Sequence, residues 1–336
     1  MKVGLMHRPA TARRAVRTLL VMVCAAAMLA ALGGSALAKQ SAGKHNGQQN
    51  GGQLKGGKHQ TAAKGPKVTP RTPISEGSAY LALGDSVTFG YEEPQVVPAP
   101  NYADAASFIG YPELLGSELH LTVANAACAG ETSSSLINTA AQSNGCENTP
   151  GKGNVGYRSL YPLHVHYTGS QLAFAVSYLK KHHNVRLVSL MIGANDAFVC
   201  QETTADHCAS LTELAAVAAT IAKNVHTILS TIRNKAHYNG QLAIVNYYSL
   251  DYSNAAGTGQ SAFLNKTLDS AATPFHVEIA DGFGEFAAAA AHSGGNSCTA
   301  GLLTQLVGAS TPCGIHPSDA GQSLLAQALE RVIRLG

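Results

Sequence analysis

The chain has 336 residues and a formal net charge of +3, from 23 lysines and arginines against 20 acidic residues. This length suits one large domain or two small ones. From Ala79 onward, however, 11 basic residues face 19 acidic ones, a balance of −8. An acidic domain of this kind argues against nucleic acid as a partner.

The first 38 residues have the order of a secretory signal peptide. Four arginines in residues 8–17 precede an apolar run over residues 19–32, and small residues up to Ala38 form a cleavage-like site. The alternative of a membrane anchor is disfavoured because the run is shorter than the ~20 residues of a span. Cys24 follows Val23 rather than a small residue, which disfavours a lipoprotein. We predict a secreted, extracellular protein.

Residues 39–78 are rich in glycine, glutamine and lysine and nearly free of apolar side chains. Such a segment buries too little surface to offset its own conformational entropy, so we predict a disordered linker. Its basic charge allows weak electrostatic association with an anionic cell envelope, although a merely solvated linker is the favoured interpretation. The folded domain is predicted over residues 79–336.

Five short apolar runs, each bounded by glycine or turn residues, predict strands. They begin near residues 79, 121, 186, 241 and 276 and lack strict alternation, as expected of strands covered on both faces. Helical periodicity begins at Ser170 and Leu211 and again in the last segment, where Ser318 or Asp319 is a plausible cap. Strands alternating with helices indicate a three-layer α/β/α sandwich with a central parallel sheet.

Four separate stretches place reactive groups where predicted strands end. Ser86 follows the first strand in "LGDSVTFG", and the second is followed by Gly130. Asn195 lies in "GAND" after the third, and His316 precedes the last helix. Because ligand sites gather at the carboxyl ends of parallel strands, a hydroxyl, an imidazole and three NH donors could meet there. A serine in such a turn more often simply caps a helix.

These four blocks, in this order, resemble those of the SGNH, or GDSL, hydrolases. The resemblance covers the chain from Tyr80 onward and implies a flavodoxin-like sheet of the SGNH-hydrolase type. It implies that Ser86 is a nucleophile and His316 a general base. It also implies an oxyanion hole built from Ser86, Gly130 and Asn195. No metal or organic cofactor is implied.

One position departs from the family pattern. The last block of the family usually has an aspartate three residues before the histidine, whereas this chain has Cys313. We predict that the main-chain carbonyl of Cys313 orients His316, because an imidazole base needs a partner that fixes its tautomer. The alternative is another acid, either Asp319 or Glu131.

Six cysteines remain after the leader, and their even number in an exported chain predicts disulfides. Fifteen pairings are possible, of which the sequential one staples three short loops. Zinc is disfavoured because no pair has close Cys-x-x-Cys spacing. The same resemblance to secreted, disulfide-bearing lipases and esterases of actinobacteria and related bacteria supports the sequential pairing. The residues are Cys128, Cys146, Cys200, Cys208, Cys298 and Cys313.

Other polar residues are expected to have structural rather than catalytic roles. The pairs His164/His166 and His182/His183 lack carboxylates or cysteines at ligand spacing, so we predict no metal site. Asp85 and Asp196 adjoin the reactive blocks and are expected to hold their loops through bonds to backbone amides.

The expected activity is hydrolysis of a small-molecule or lipid ester through an acyl-enzyme. The alternative within this class is an esterase acting on carbohydrate acetyl groups. The absence of tryptophan favours lipid or simple esters, although the 12 tyrosines could stack on sugars. The competing class is a surface-binding module that keeps the fold without catalysis. No residue pattern indicates an oligomeric state.

Overall fold

The computed structural model describes residues 71–336, so the predicted signal peptide and the linker up to residue 70 lie outside it. Its centre is a five-stranded parallel sheet with the order β2-β1-β3-β4-β5. All five predicted strands are confirmed. They are β1 (Ala79–Gly84), β2 (Thr122–Asn125), β3 (Val185–Met191), β4 (Gln241–Val245) and β5 (Glu278–Ala280).

Ten α-helices accompany this sheet in the described part of the chain. Serine side chains cap the three helices predicted from periodicity, α5, α7 and α10, at Ser170, Ser210 and Ser318. The helices are α1 (Ser86–Phe89), α2 (Tyr111–Glu118), α3 (Ser133–Ile137), α4 (Tyr157–Leu160), α5 (Gln171–Lys181), α6 (Ala194–Thr203), α7 (Leu211–Ser230), α8 (Ala255–Ala272), α9 (Gly282–Ala290) and α10 (Asp319–Glu330).

The helices pack in two groups around the sheet. Helices α2, α9 and α10 contact one another, and α3, α5, α6, α7 and α8 form the second group. Strand β1 is buried along its whole length, as is β4, which explains why their sequences read as continuous apolar runs. The predicted three-layer α/β/α architecture is therefore confirmed.

The strand order alone indicates where the ligand crevice of this sheet lies. The chain passes from β1 outward to β2 and then returns to pair β3 on the other side of β1. In sheets of this order the crevice opens at the carboxyl ends of the two strands where the direction reverses. Ser86 follows β1 directly, and Asn195 follows β3 within the first turn of α6.

A small antiparallel pair lies outside the main sheet and was not predicted. It consists of β6 (Leu303–Gln305) and β7 (Cys313–Pro317). His316 lies in β7, one turn of chain before α10 begins, so a strand rather than a loop carries the imidazole.

The folded part begins earlier than the predicted boundary at Ala79. Ile74 is buried, its amide donates to the Arg334 carbonyl, and its carbonyl accepts from the Gly336 amide. Gly77 also donates its amide to His120. Residues 74–77 resemble a linker in composition. They belong to the folded domain because Ile74 is buried and hydrogen-bonded to the C-terminal segment.

The three sequential disulfides are present, as predicted: Cys128–Cys146, Cys200–Cys208 and Cys298–Cys313. Each closes one local loop, and the third ties the segment before β6 to the start of β7. Among residues 71–336, no helix combines the length and the apolar character that crossing a bilayer requires.

Candidate active site

The structure brings Ser86 and His316 together across 230 positions of sequence. Ser86 is the first residue of α1, and Asp85 caps that short helix by accepting from the Val87 amide. The Ser86 Oγ lies 3.0 Å from Nε2 of His316. This is hydrogen-bonding distance, so the imidazole can take the proton of the hydroxyl as its oxygen attacks.

The orienting partner of His316 is Glu93, and the prediction for the Cys313 carbonyl is wrong. His316 Nδ1 donates to Glu93 Oε1 at 2.7 Å. The Cys313 carbonyl instead accepts from the Thr311 hydroxyl. Because Cys313 and His316 lie on one extended strand, three residues place them about 10 Å apart along it, too far for the predicted hydrogen bond.

Neither alternative acid reaches the imidazole. Glu131 is fully buried elsewhere, where it accepts from Gln171 and from the Ser135 hydroxyl. Asp319 is the first residue of α10, behind the capping hydroxyl of Ser318.

Although Glu93 lies in a loop, hydrogen bonds to both of its carboxylate oxygens fix its side chain. Its Oε1 also accepts from the Ile315 amide at 3.0 Å, and its Oε2 accepts from the Thr304 hydroxyl at 2.6 Å. Partial burial opposes its ionisation, but the hydrogen bond and charge of His316, with the Thr304 bond, outweigh burial and lower the pKa of Glu93 to about 2. Glu93 is therefore a carboxylate at neutral pH, which fixes the imidazole with its proton on Nδ1 and leaves Nε2 free to accept.

The three predicted oxyanion donors are linked to one another by hydrogen bonds. Asn144 donates its amide to the Gly130 carbonyl at 2.7 Å and its side-chain NH₂ to Asn195 Oδ1 at 2.9 Å. Asn195 Nδ2 in turn lies 3.4 Å from Asp85 Oδ2, beside Ser86. The Ser86 and Gly130 amides donate to no other group within residues 71–336. They are thus available to an incoming oxygen.

Gly130 can only be glycine in this conformation. Its φ is +83°, and a Cβ atom there would lie 2.6 Å from the carbonyl oxygen of Asn144. A side chain would therefore push away the residue that joins Gly130 to Asn195.

Two buried aspartates hold the site loops, as predicted. Asp196 accepts from both the amide and the hydroxyl of Ser133, at 2.8 and 2.6 Å. Asp85 accepts from the Val87 amide and from the hydroxyl of Tyr247. Burial raises the pKa of each carboxyl to about 6, against the opposing effect of these hydrogen bonds.

Aromatic side chains extend from His316 toward solvent. The ring of Tyr91 meets the imidazole edge-on with centroids 4.8 Å apart, and the Tyr91 amide donates to the Ser86 carbonyl. At the far end Tyr161 is 39% exposed. We call this cluster the aromatic wall. Phe108 and Tyr157 are buried within it. Its rings are Tyr91, Tyr102, Phe108, Tyr157 and Tyr161.

Two of the four histidines considered for metal binding, His164 and His182, pack against aromatic rings. His164 lies on the Phe89 ring with centroids 4.6 Å apart, and its Nε2 is 3.0 Å from the Phe89 carbonyl. His182 stacks on Tyr178 at the end of α5.

Sequence reasoning missed Glu93, Asn144 and Tyr247. Glu93 follows Ser86 by seven residues in "GYEEPQ", a stretch without periodicity, and contacts His316 across 223 positions. Its neighbour Glu92 gives an equal sequence signal, so composition alone could not choose between them. Tyr247 lies two residues after the end of β4, and only this position at the carboxyl edge of the sheet indicated a role.

Comparisons with known proteins identify the family of the chain. The model of the GDSL-like Lipase/Acylhydrolase family matches residues 82–324. No curated protein matched the chain. Among solved structures, phospholipase A1 from Streptomyces albidoflavus NA297 is 19% identical, with a TM-score of 0.49, over 76% of this chain and 99% of that one. A catalytic mutant of Axe2, an acetylxylan esterase from Geobacillus stearothermophilus, is 16% identical, with a TM-score of 0.46, over 79% and 98%.

The family match spans most of the folded part and includes Ser86, Gly130, Asn195 and His316. The resemblance predicted from the four sequence blocks is thereby confirmed. The chain belongs to the GDSL-like lipase/acylhydrolase family and is a carboxylic ester hydrolase.

Proposed function

We propose that this chain is a secreted serine ester hydrolase that works through an acyl-enzyme on Ser86. One observation supports this proposal above the others. Ser86 Oγ lies 3.0 Å from one imidazole nitrogen of His316, while the other nitrogen donates to Glu93 at 2.7 Å. In this arrangement the carboxylate orients the imidazole, and the imidazole activates the serine hydroxyl for attack on a carbonyl.

In the acylation half, Ser86 Oγ attacks the ester carbonyl carbon and its proton passes to His316 Nε2. The carbonyl oxygen becomes an oxyanion, which accepts from the amides of Ser86 and Gly130 and from the side chain of Asn195. Each donor of this kind contributes about 3 kcal/mol in the transition state. The tetrahedral intermediate then collapses, the ester C–O bond breaks, and His316 gives its proton to the leaving alcohol.

In the deacylation half, water replaces the alcohol. His316 takes a proton from the water as its oxygen attacks the acyl carbon, and returns that proton to Ser86 Oγ as the acid leaves. Glu93 remains ionised throughout and stabilises the imidazolium that forms twice in the cycle.

Secretion is part of the proposal. The leader-like residues 1–38 favour export, and the three disulfides fit the oxidising space outside the cytoplasm. The basic segment that follows the leader would then act as a linker, in weak contact with an anionic envelope.

For the substrate we favour a lipid or simple ester with an apolar part. The aromatic wall begins at His316 and ends at the partly exposed Tyr161, which is next in sequence to the exposed Leu160, so an apolar chain bound at Ser86 would have apolar side chains near it. The second candidate is a carbohydrate ester, because the exposed ring of the aromatic wall, Tyr161, is a tyrosine whose face and hydroxyl suit a sugar.

A covalent label tests the chemistry. The protein is incubated with an alkyl fluorophosphonate, digested and analysed by mass spectrometry, while hydrolysis of p-nitrophenyl acetate is followed in parallel. We expect one adduct per chain, on the peptide that contains Ser86, and activity lost in proportion to labelling. Heat-denatured protein is the control and should not react. An adduct on another residue, or full activity in fully labelled protein, contradicts the proposal.

A substrate series separates the remaining candidates. p-Nitrophenyl esters from acetate to palmitate and an acetylated oligosaccharide are compared by kcat/KM. A maximum at medium or long chains supports the lipid ester, and preference for the oligosaccharide supports the second candidate. A native protein that hydrolyses none of them would indicate a binding module.

A further inference from the structure

Gln171, the first residue of α5, occupies an unusual position for a buried polar side chain. It is fully buried at the carboxyl end of β1. Its Oε1 accepts from the Gly84 amide at 2.7 Å, and its Nε2 donates to the Gly84 carbonyl at 2.9 Å. The same Nε2 donates to Glu131 Oε2, also at 2.9 Å. One carboxamide therefore binds both main-chain groups of Gly84 and the side chain of Glu131; we call this arrangement the amide clamp.

The two ends of the amide clamp lie beside the two main-chain oxyanion donors. Gly84 stands two residues before Ser86, and Glu131 directly follows Gly130. The two amides come from different strand ends, and the parallel pairing of β1 with β2 stops at Asn125, before either amide is reached. Beyond that point, within residues 71–336, one main-chain bond joins the second segment to Gly84; the Cys128 amide donates it, at 3.3 Å. The amide clamp thus joins the two segments where the strand pairing has ended.

We propose that Gln171 is a positioning residue for the oxyanion hole, which sets the distance between the Ser86 and Gly130 amides through Gly84 and Glu131. This inference rests on the proposed function. It requires a side chain with an acceptor and two donors on one planar group, which only a carboxamide offers. Asparagine has the same group on a stem shorter by one methylene.

The other contacts of Glu131 make its end of the amide clamp rigid. Its second oxygen accepts from the Ser135 hydroxyl, which belongs to the capping box of α3 with Thr132. Burial, reinforced by the nearby Glu147, raises the pKa of Glu131. A displacement of Gln171 would therefore be passed to Gly130 rather than absorbed by a flexible side chain.

The test compares Gln171→Met with Gln241→Met. Gln241 is an equally buried glutamine, and it also exchanges two hydrogen bonds with main-chain groups of one residue, Arg334, but at the amino end of the sheet. Both variants lose similar interactions, so both should lose similar thermal stability. Rates are measured per active site, titrated with the fluorophosphonate, on p-nitrophenyl butyrate. Affinity is measured for an alkylboronic acid, whose serine adduct carries an oxygen at the oxyanion position.

For Gln171→Met we expect kcat to fall about ten- to a hundredfold, because a misplaced donor forfeits part of its transition-state stabilisation. KM should stay within threefold, and boronic acid affinity should fall by the same factor as kcat. Gln241→Met should keep both kcat and boronic acid affinity within threefold of wild type. Equal kcat in Gln171→Met and wild type, or an equal fall in the two variants, overturns the inference.

A second pair of variants decides the matter if Gln171→Met does not fold. Glu131→Gln keeps an oxygen for Gln171 and can donate to the Ser135 hydroxyl, so kcat should stay within threefold. Glu131→Met removes that end of the amide clamp and should lower kcat and boronic acid affinity together by about tenfold or more. If Glu131→Met matches Glu131→Gln in both quantities, the inference is wrong. A wild-type protein without ester hydrolysis overturns the proposed function and this inference with it.

Discussion

Ser86→Ala is expected to lower kcat for p-nitrophenyl acetate by about 10⁵- to 10⁶-fold, the loss typical of removing a catalytic nucleophile. Alanine offers no atom to form the acyl-enzyme, and the Nε2 of His316 is left without the hydroxyl that now lies 3.0 Å away. The oxyanion donors and Glu93 remain in place, so the residual rate should still exceed that of water. Steady-state rates at high enzyme concentration measure the loss.

The control for this substitution is Ser177→Ala, an exposed serine on α5, which should keep wild-type kcat. Both variants should unfold within a few degrees of wild type, because neither hydroxyl supports the core. If folded Ser86→Ala keeps more than about 1% of wild-type kcat, the acyl-enzyme does not form on Ser86.

The second large effect concerns Glu93. Glu93→Ala should lower kcat by about 10³- to 10⁴-fold, because His316 loses both the group that fixes its tautomer and the charge that stabilises its cation. Glu93→Gln should cost less than Glu93→Ala, because the Ile315 amide also needs an oxygen from residue 93 and so keeps the amide oxygen toward Nδ1. The amide oxygen can still accept from Nδ1, and the Thr304 hydroxyl can turn to accept from the NH₂. The two variants thus separate orientation from charge.

Glu92→Gln is the matched control, since it changes a neighbouring carboxyl that makes no hydrogen bond to the imidazole. Its kcat should stay within about threefold of wild type. If Glu93→Ala and Glu92→Gln retain the same kcat, another group orients His316 and our assignment of Glu93 is wrong.

The lowered pKa of Glu93 predicts how the stability of the protein depends on pH. Its pKa is lowered to about 2, so the native state holds its ionised form more strongly than the unfolded chain, where the usual value is near 4.3. Its contribution to stability is therefore complete above the unfolded pKa and is lost as pH falls toward 2. Denaturation midpoints of wild type and Glu93→Gln should differ most above pH 5 and converge toward pH 2. A constant difference would contradict the assigned shift.

The parts of this fold that the sequence could predict are those governed by local pattern. Strands β1 and β4 are buried on both faces, so their apolar runs were visible, and Ser318 capped α10 as expected. Ser86 and Asn195 were found because each directly follows a strand end. Strands β6 and β7 were missed because neither sequence, Leu-Thr-Gln or Cys-Gly-Ile-His-Pro, is an apolar run.

The error at Cys313 has a different origin. Cys313 was chosen because it occupies the position of the family's aspartate, three residues before the histidine, but β7 is extended and holds Cys313 and His316 apart. The true partner comes from a loop early in the chain, and such a contact depends on how loops close over the sheet. No periodicity or motif in residues 91–110 encodes that closure.

The β-bridge between Ile74 and Leu335 places both ends of the described residues on the side of the sheet away from the active site. Residues 74–77 and 334–336 both lie at the amino edge of the sheet, beside Gln241, whereas Ser86 stands at the other edge, a strand length of about 20 Å away. An attachment made at either end of the described residues would therefore leave the catalytic edge facing away from it.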